Sequence, residues 1–172
     1  MNLDNPYNIA LIGFSGSGKT YNAKRLYKLS NLPLYCYDIN RDWNAPQPPT
    51  MDKFLEQAKN KKKHFIVFEE ATIFFSHSGR SDDLTNLMVR KRYNENKSVF
   101  LFHSLRSLPL FIMDYLDAII LLKTGDRKTL IEKKFKDDEN IIEAYREVND
   151  SADPHANIFI PLGNFYTGLS KG

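Results

Sequence analysis

Eight residues near the start of the chain have the types and spacing to hold a phosphate group. They read Gly13-Phe14-Ser15-Gly16-Ser17-Gly18-Lys19-Thr20. The pattern Gly13-x-x-x-x-Gly18-Lys19-Thr20 is that of a P-loop. Glycines let backbone N–H groups curl around phosphate oxygens with no Cβ in the way. A lysine at this place reaches the β- and γ-phosphates, and the threonine hydroxyl goes to Mg²⁺. Gly13, Ser15, Gly16, Ser17, Gly18, Lys19 and Thr20 are therefore the expected nucleotide ligands, with Thr20 also a metal ligand.

A second group of residues could supply the reaction. The apolar stretch Phe65-Ile66-Val67-Phe68 runs into Glu69 and Glu70. Neighbouring residues of a strand point to opposite faces. In strand geometry the two carboxylates would divide the work, Glu69 at the metal and Glu70 orienting the attacking water. A carboxylate directly after the metal-binding one marks P-loop ATPases that hydrolyse. Simple kinases need no activated water, and Ras-type GTPases hold it with a glutamine. No Asn-Lys-x-Asp guanine-reading sequence is present, so ATP is the expected nucleotide. A third group closes the apolar stretch at 98–102, which ends in His103 and Ser104. A polar group at such a strand tip can sense the γ-phosphate. The alternative is that His103 caps the strand end.

These residues need a scaffold that brings distant parts of the chain together, and the pattern supplies one. Short apolar runs at 8–13, 32–39, 64–70, 98–104 and 117–123 read as strands, with a short final strand at 157–162. Helical patterns lie between them at 19–30, 51–63, 83–93 and 140–148. Thr50 is the expected N-cap of the second helix, and Pro46, Pro48 and Pro49 keep the segment before it out of regular structure. Continuous apolar strands alternating with helices indicate a parallel sheet buried on both faces. The expected class is α/β, a P-loop NTPase of the RecA/ASCE type. In ATPases of that class a strand inserts between the phosphate-loop strand and the acidic strand, so the likeness implies a mainly parallel sheet of order 5-1-4-3-2 flanked by helices.

With 172 residues the chain reads as one ATPase domain spanning 1–172, with its core at 8–162 and a tail at 163–172. Hydrophobic residues make up 42 %, enough for an ordinary core, and charged residues 26 %. A net charge of +3 permits a nucleic-acid partner without arguing for one. The single cysteine, Cys36, excludes an intrachain disulfide and fits a reducing compartment. The first residues show no basic region followed by an apolar stretch. The most apolar segment is interrupted by His103, Arg106, Pro109, Asp114 and Asp117, too often for a membrane span. The expectation is a soluble intracellular protein.

The order of these elements resembles the FtsK/HerA superfamily of DNA-pumping ATPases. Within it the chain is most similar to the genome-packaging ATPases of tailless viruses with internal membranes, and to Zot-type assembly ATPases of filamentous phages. The likeness runs from Ile9 to Lys123 and rests most firmly on the P-loop and the acidic pair. It implies a motor that hydrolyses ATP with Mg²⁺ to move DNA, packaging a viral genome into a preformed capsid. The implied partners are DNA, further copies of the chain in a hexameric ring, and a capsid or portal protein. The implied location is host cytoplasm or virion.

Carried over by position, the family's acidic pair falls on Glu69 and Glu70, with glutamate where the family usually has aspartate. The glutamine usual at the fourth strand tip falls on the shorter Ser104. The family's arginine before that strand, which completes the site of the next subunit, falls on Arg92, with Arg90 as the competing register. Arg80 and Arg106 are further candidates for that role. The other reading of Arg90, Lys91 and Arg92 is a basic helix end at the favourable pole of its dipole. The segment 74–83 (Phe-Phe-Ser-His-Ser-Gly-Arg-Ser-Asp-Asp) is expected to be a loop that touches DNA, packs on a neighbour or is simply surface. The tail either lacks fixed structure or reaches a neighbour.

Two other functions compete with DNA pumping. One is a Zot-like protein that uses nucleotide to drive phage assembly or export. The other is a small-molecule kinase, for which Asp38 at a strand end would bind substrate or act as base.

Overall fold

A computed structural model describes residues 7–77 and 82–163 of the chain. Two sequence expectations therefore lie outside the described residues, those on Arg80 and on the tail beyond Gly163. The strands are β1 (Asn8–Ile12), β2 (Leu34–Tyr37), β3 (Phe65–Phe68), β4 (Lys97–Phe102), β5 (Ala118–Leu122) and β6 (Asn157–Pro161). The helices are α1 (Lys19–Ser30), α2 (Met51–Ala58), α3 (Ala71–His77), α4 (Asp82–Val89), α5 (Lys91–Asn94), α6 (Lys128–Lys134) and α7 (Glu139–Asp150).

The strands form one sheet in the order β2-β3-β4-β1-β5-β6. The first five are parallel and follow the expected order. The sixth is the difference, an antiparallel strand added beside β5. Each central strand feeds two cores at once. Ala10, Ile12, Ile66, Phe68, Phe100 and Phe102 pack on one face. Ile9, Leu11, Phe65, Val67, Val99 and Leu101 pack on the other. Alternate residues point to opposite faces, so a strand covered on both sides is apolar throughout.

The helices begin and end where local chemistry dictates. Thr50 caps α2, its side chain accepting a hydrogen bond from Lys53 N at 3.3 Å. Asp138 caps α7 in the same way, accepting from Ile141 N at 3.2 Å. Asn31, in the left-handed region, closes α1.

Four readings are corrected by the structure. First, β3 stops at Phe68, so Glu69 and Glu70 stand in the turn that follows it. Second, Phe74 and Phe75 lie on α3, not on a loop, and are buried against Phe68, Phe100 and Phe102. They are core residues of this chain and offer nothing to DNA or a neighbour. Third, the expected helix at 83–93 is broken at Arg90 into α4 and α5. Fourth, α6 and the 3₁₀ turns Leu105–Ser107 and Leu110–Tyr115 have no counterpart in the sequence reading. Seven-residue α6 spans fewer than two full heptads of pattern, too short for helical periodicity to show.

Candidate nucleotide site

The loop from Gly13 to Gly18 leaves the carboxyl end of β1 and enters α1 directly. Two glycines are fixed by geometry. A Cβ on Gly13 would stand 2.4 Å from Ser17 Oγ and 2.9 Å from Leu122 Cβ. Gly18 has φ +100°, a conformation L side chains rarely adopt. The loop is clamped to the sheet from both sides, Gly13 N donating to Phe102 O and Phe14 N to Lys123 O. The first N–H groups of any helix lack helical partners and sit at its positive pole. The start of α1 is therefore built to receive an anion.

Lys19 is buried and donates from Nζ to Gly13 O and Phe14 O, at 2.8 and 3.0 Å. Burial lowers its pKa, and the carboxylates of Glu69 and Glu70 oppose that shift. The ammonium thus lies folded over the loop with two acids near it.

Glu69 is buried and holds two donors. Thr20 Oγ1 donates to its Oε1 at 2.5 Å, and Trp43 Nε1 donates to its Oε2 at 2.6 Å. Burial raises its pKa, while both hydrogen bonds pull the other way. The two residues assigned to Mg²⁺ are thus in contact across 49 positions of sequence. Mg²⁺ prefers hard oxygen donors, commonly taking one or two from protein and the rest from phosphate and water. A threonine hydroxyl beside a carboxylate at the end of a phosphate loop fits that ion. Among the described residues no group of three or more His, Cys, Asp or Glu could hold a metal. The remaining ligands would come from nucleotide and water.

Glu70 faces a different partner. His103 Nε2 lies 2.9 and 2.8 Å from its two carboxylate oxygens. The two glutamates therefore do have separate surroundings, but the turn after β3 separates them, not strand alternation. Ser104 also shapes the turn that follows. Its Oγ accepts from Ser107 N at 3.1 Å and caps the short turn that follows. Asp126 holds the same turn, accepting from Leu105 N at 2.7 Å.

Arg90 and Arg92 are not part of this cluster. Lys91 between them is buried, its Nζ 2.5 Å from Asp117 Oδ2 and 3.0 Å from Tyr115 O. Asp117 also accepts from Asn8 N at 2.7 Å. These contacts fix the segment at the amino ends of β1 and β5, whereas the phosphate loop leaves the carboxyl end of β1. A five-residue strand spans on the order of 15 Å. Both arginines are exposed, on a segment held at the end of the sheet opposite the phosphate loop of their own chain. The basic helix end is thus real in part, with Lys91 paired inward and its neighbours facing solvent. Arg106 is exposed at the opposite end, following β4.

Sequence reasoning missed three contributors. Trp43 sits in the proline-rich loop, where no periodicity marks it. Lys123 anchors the phosphate loop through its backbone carbonyl. His155 brings Nδ1 to 3.8 Å from where a Gly18 Cβ would stand. Asp38, the residue favouring a kinase, is 1 % exposed. Its oxygens accept from Asn40 N and Trp43 N at 2.9 and 3.0 Å. It is a buried anchor for its own loop.

The architecture and the loop together define a P-loop NTPase fold. The genome packaging NTPase B204 from Sulfolobus turreted icosahedral virus 2, in complex with ATPγS, is similar to this chain with TM-score 0.73 and 16 % identity over 95 % of each chain. The same protein in complex with AMP gives 0.72 and 15 % over 96 % of each. B204, the DNA-packaging ATPase from Sulfolobus turreted icosahedral virus, gives 0.67 and 15 % over 94 % of this chain and 99 % of that one. No family model matches the chain, and no curated protein matches its sequence. Among the described residues no helix is long and apolar enough to cross a membrane.

Proposed function

We propose that this chain is an Mg²⁺-dependent ATPase that drives DNA movement, packaging a viral genome into a capsid. The observation that carries the reading is the convergence of three segments on one sheet edge. The phosphate loop, the Thr20–Glu69 contact and the Glu70–His103 pair all stand at the carboxyl ends of β1, β3 and β4. Ligands of open α/β sheets bind at that edge.

In this reading Lys19 leaves the loop carbonyls and takes the β- and γ-phosphates. Thr20 and Glu69 would hold Mg²⁺, which when bound would neutralise charge developing on the phosphoryl group. Glu70 orients and deprotonates the attacking water, and His103 holds its carboxylate in place. Arg92, or in the competing register Arg90, serves the ATP of a neighbouring subunit in a ring, most simply a hexamer. Their exposure at the far end of the sheet supports action in trans and not in cis. The DNA-packaging role draws its support from B204, which has the same fold over nearly the whole chain.

The test is ATP turnover by the purified chain with and without linear duplex DNA, together with displacement of streptavidin from a biotinylated duplex end. A packaging motor shows turnover stimulated by duplex and ATP-dependent displacement. Turnover indifferent to DNA, with no displacement, would support the assembly or export function instead.

A further inference from the structure

Trp43 is the only tryptophan of the chain and is 5 % exposed, although it lies in an irregular loop. Two features fix it there. Its backbone N donates to Asp38 Oδ2 at 3.0 Å, and its ring packs edge-on against Tyr27 of α1 at a centroid distance of 6.2 Å. Asp38 follows directly on β2, so the loop hangs from the sheet and from α1 together. The indole N–H then meets Glu69 Oε2 at 2.6 Å.

An indole nitrogen donates and never accepts. It therefore holds the carboxylate as an acceptor, with Oε2 bound to Trp43 and Oε1 to Thr20. Trp43 thus gives the long glutamate arm a second fixed point beside its contact with Thr20.

We propose that Trp43 is a positioning residue for the metal end of the site, holding Glu69 against Thr20, the two residues that would hold Mg²⁺. The inference rests on the nucleotide-site reading above. Partners in the outer shell of a metal site are commonly worth ten- to a hundredfold in metal affinity.

The experiment is binding of a fluorescent ATP analogue to the full chain, titrated with Mg²⁺ and repeated in EDTA. Trp43→Phe keeps an aromatic ring and removes the donor. It should raise the Mg²⁺ concentration needed for half-maximal tight binding by about tenfold or more, with affinity in EDTA unchanged. Glu69→Asp, which withdraws the carboxylate from the indole, should show a similar loss. Adding Trp43→Phe to Glu69→Asp should then cost nothing further. Circular dichroism establishes that each variant is folded. If Trp43→Phe fails to fold, Glu69→Asp carries the test through the emission of the single tryptophan, which should shift as the indole loses its acceptor. Equal losses with and without Mg²⁺ in Trp43→Phe would mean a packing role only and overturn the proposal. So would unchanged Mg²⁺ dependence, or additive losses in the double variant. A wild-type chain that binds no nucleotide would overturn the site reading as well.

Discussion

Glu70 and His103 meet at the carboxyl ends of neighbouring strands, His103 Nε2 within 2.9 Å of both carboxylate oxygens of Glu70. The contact brings together the end of β3 and the end of β4, which lie 33 positions apart in sequence. It places a ring nitrogen on the carboxylate proposed to act on water.

His103→Ala should keep nucleotide affinity and lower ATP turnover, by roughly tenfold or more, because an unheld base is badly oriented. Steady-state turnover beside equilibrium binding checks this. His103→Gln, which can still donate to the carboxylate, should recover part of the loss. Unchanged turnover in His103→Ala would reduce the contact to a strand-end cap.

Arg92→Ala should bind ATP and barely hydrolyse it, since an arginine of this kind is worth on the order of 10³-fold. Glu70→Gln should be inactive within its own site. Mixing the two under conditions of subunit exchange creates interfaces with an intact Glu70 facing an intact Arg92, and activity should return. If mixed rings form and stay inactive while the same mixture with Arg90→Ala recovers, the acting residue is Arg90. If neither mixture recovers, these arginines do not act in trans.

Lys91→Met should destabilise the fold by roughly 3–5 kcal/mol, because it leaves Asp117 buried without its cation. Burial already lowers the lysine's pKa against the pull of Asp117. The measurement is urea unfolding, with the midpoint falling and the slope unchanged. A variant as stable as wild type would mean that the pair is solvated.

Cys36 is fully buried, and burial, with Asp38 and Glu69 nearby, pushes its thiol up to about 11. At pH 8 only about one part in 10³ would be thiolate. Labelling by a disulfide reagent should be very slow in the native chain and immediate in denaturant. With a single cysteine present, fast labelling of the native protein would contradict the packing of β2.

The fold was legible because its signals are redundant. Each apolar strand run is flanked by turn residues, and the Gly13–Thr20 motif fixes which strand comes first and which end carries the site. The acidic pair was legible as a pair, but its geometry was not. Whether Glu69 and Glu70 stand in β3 or just past it depends on a boundary that local sequence leaves open by a residue or two. The partners of these acids were hidden for a different reason. Trp43 lies 26 positions from Glu69, within a proline-rich loop without period. Asp117 looked like an interruption of an apolar run because its partner, Lys91, lies 26 positions earlier in a helix break. Contacts of that range follow from the sheet order and appear only once the chain is folded.

Hydrolysis through Glu70, with Lys19 holding the phosphates, is read by phosphate release from Mg²⁺·ATP in the presence of duplex DNA, with bound nucleotide measured on the same samples. Wild type should bind and release phosphate. Glu70→Gln should bind equally well and release phosphate at least about 10²-fold more slowly, and Lys19→Ala should lose tight binding altogether. Wild-type turnover in Glu70→Gln, or wild-type affinity in Lys19→Ala, would mean that these residues do not have the roles given to them.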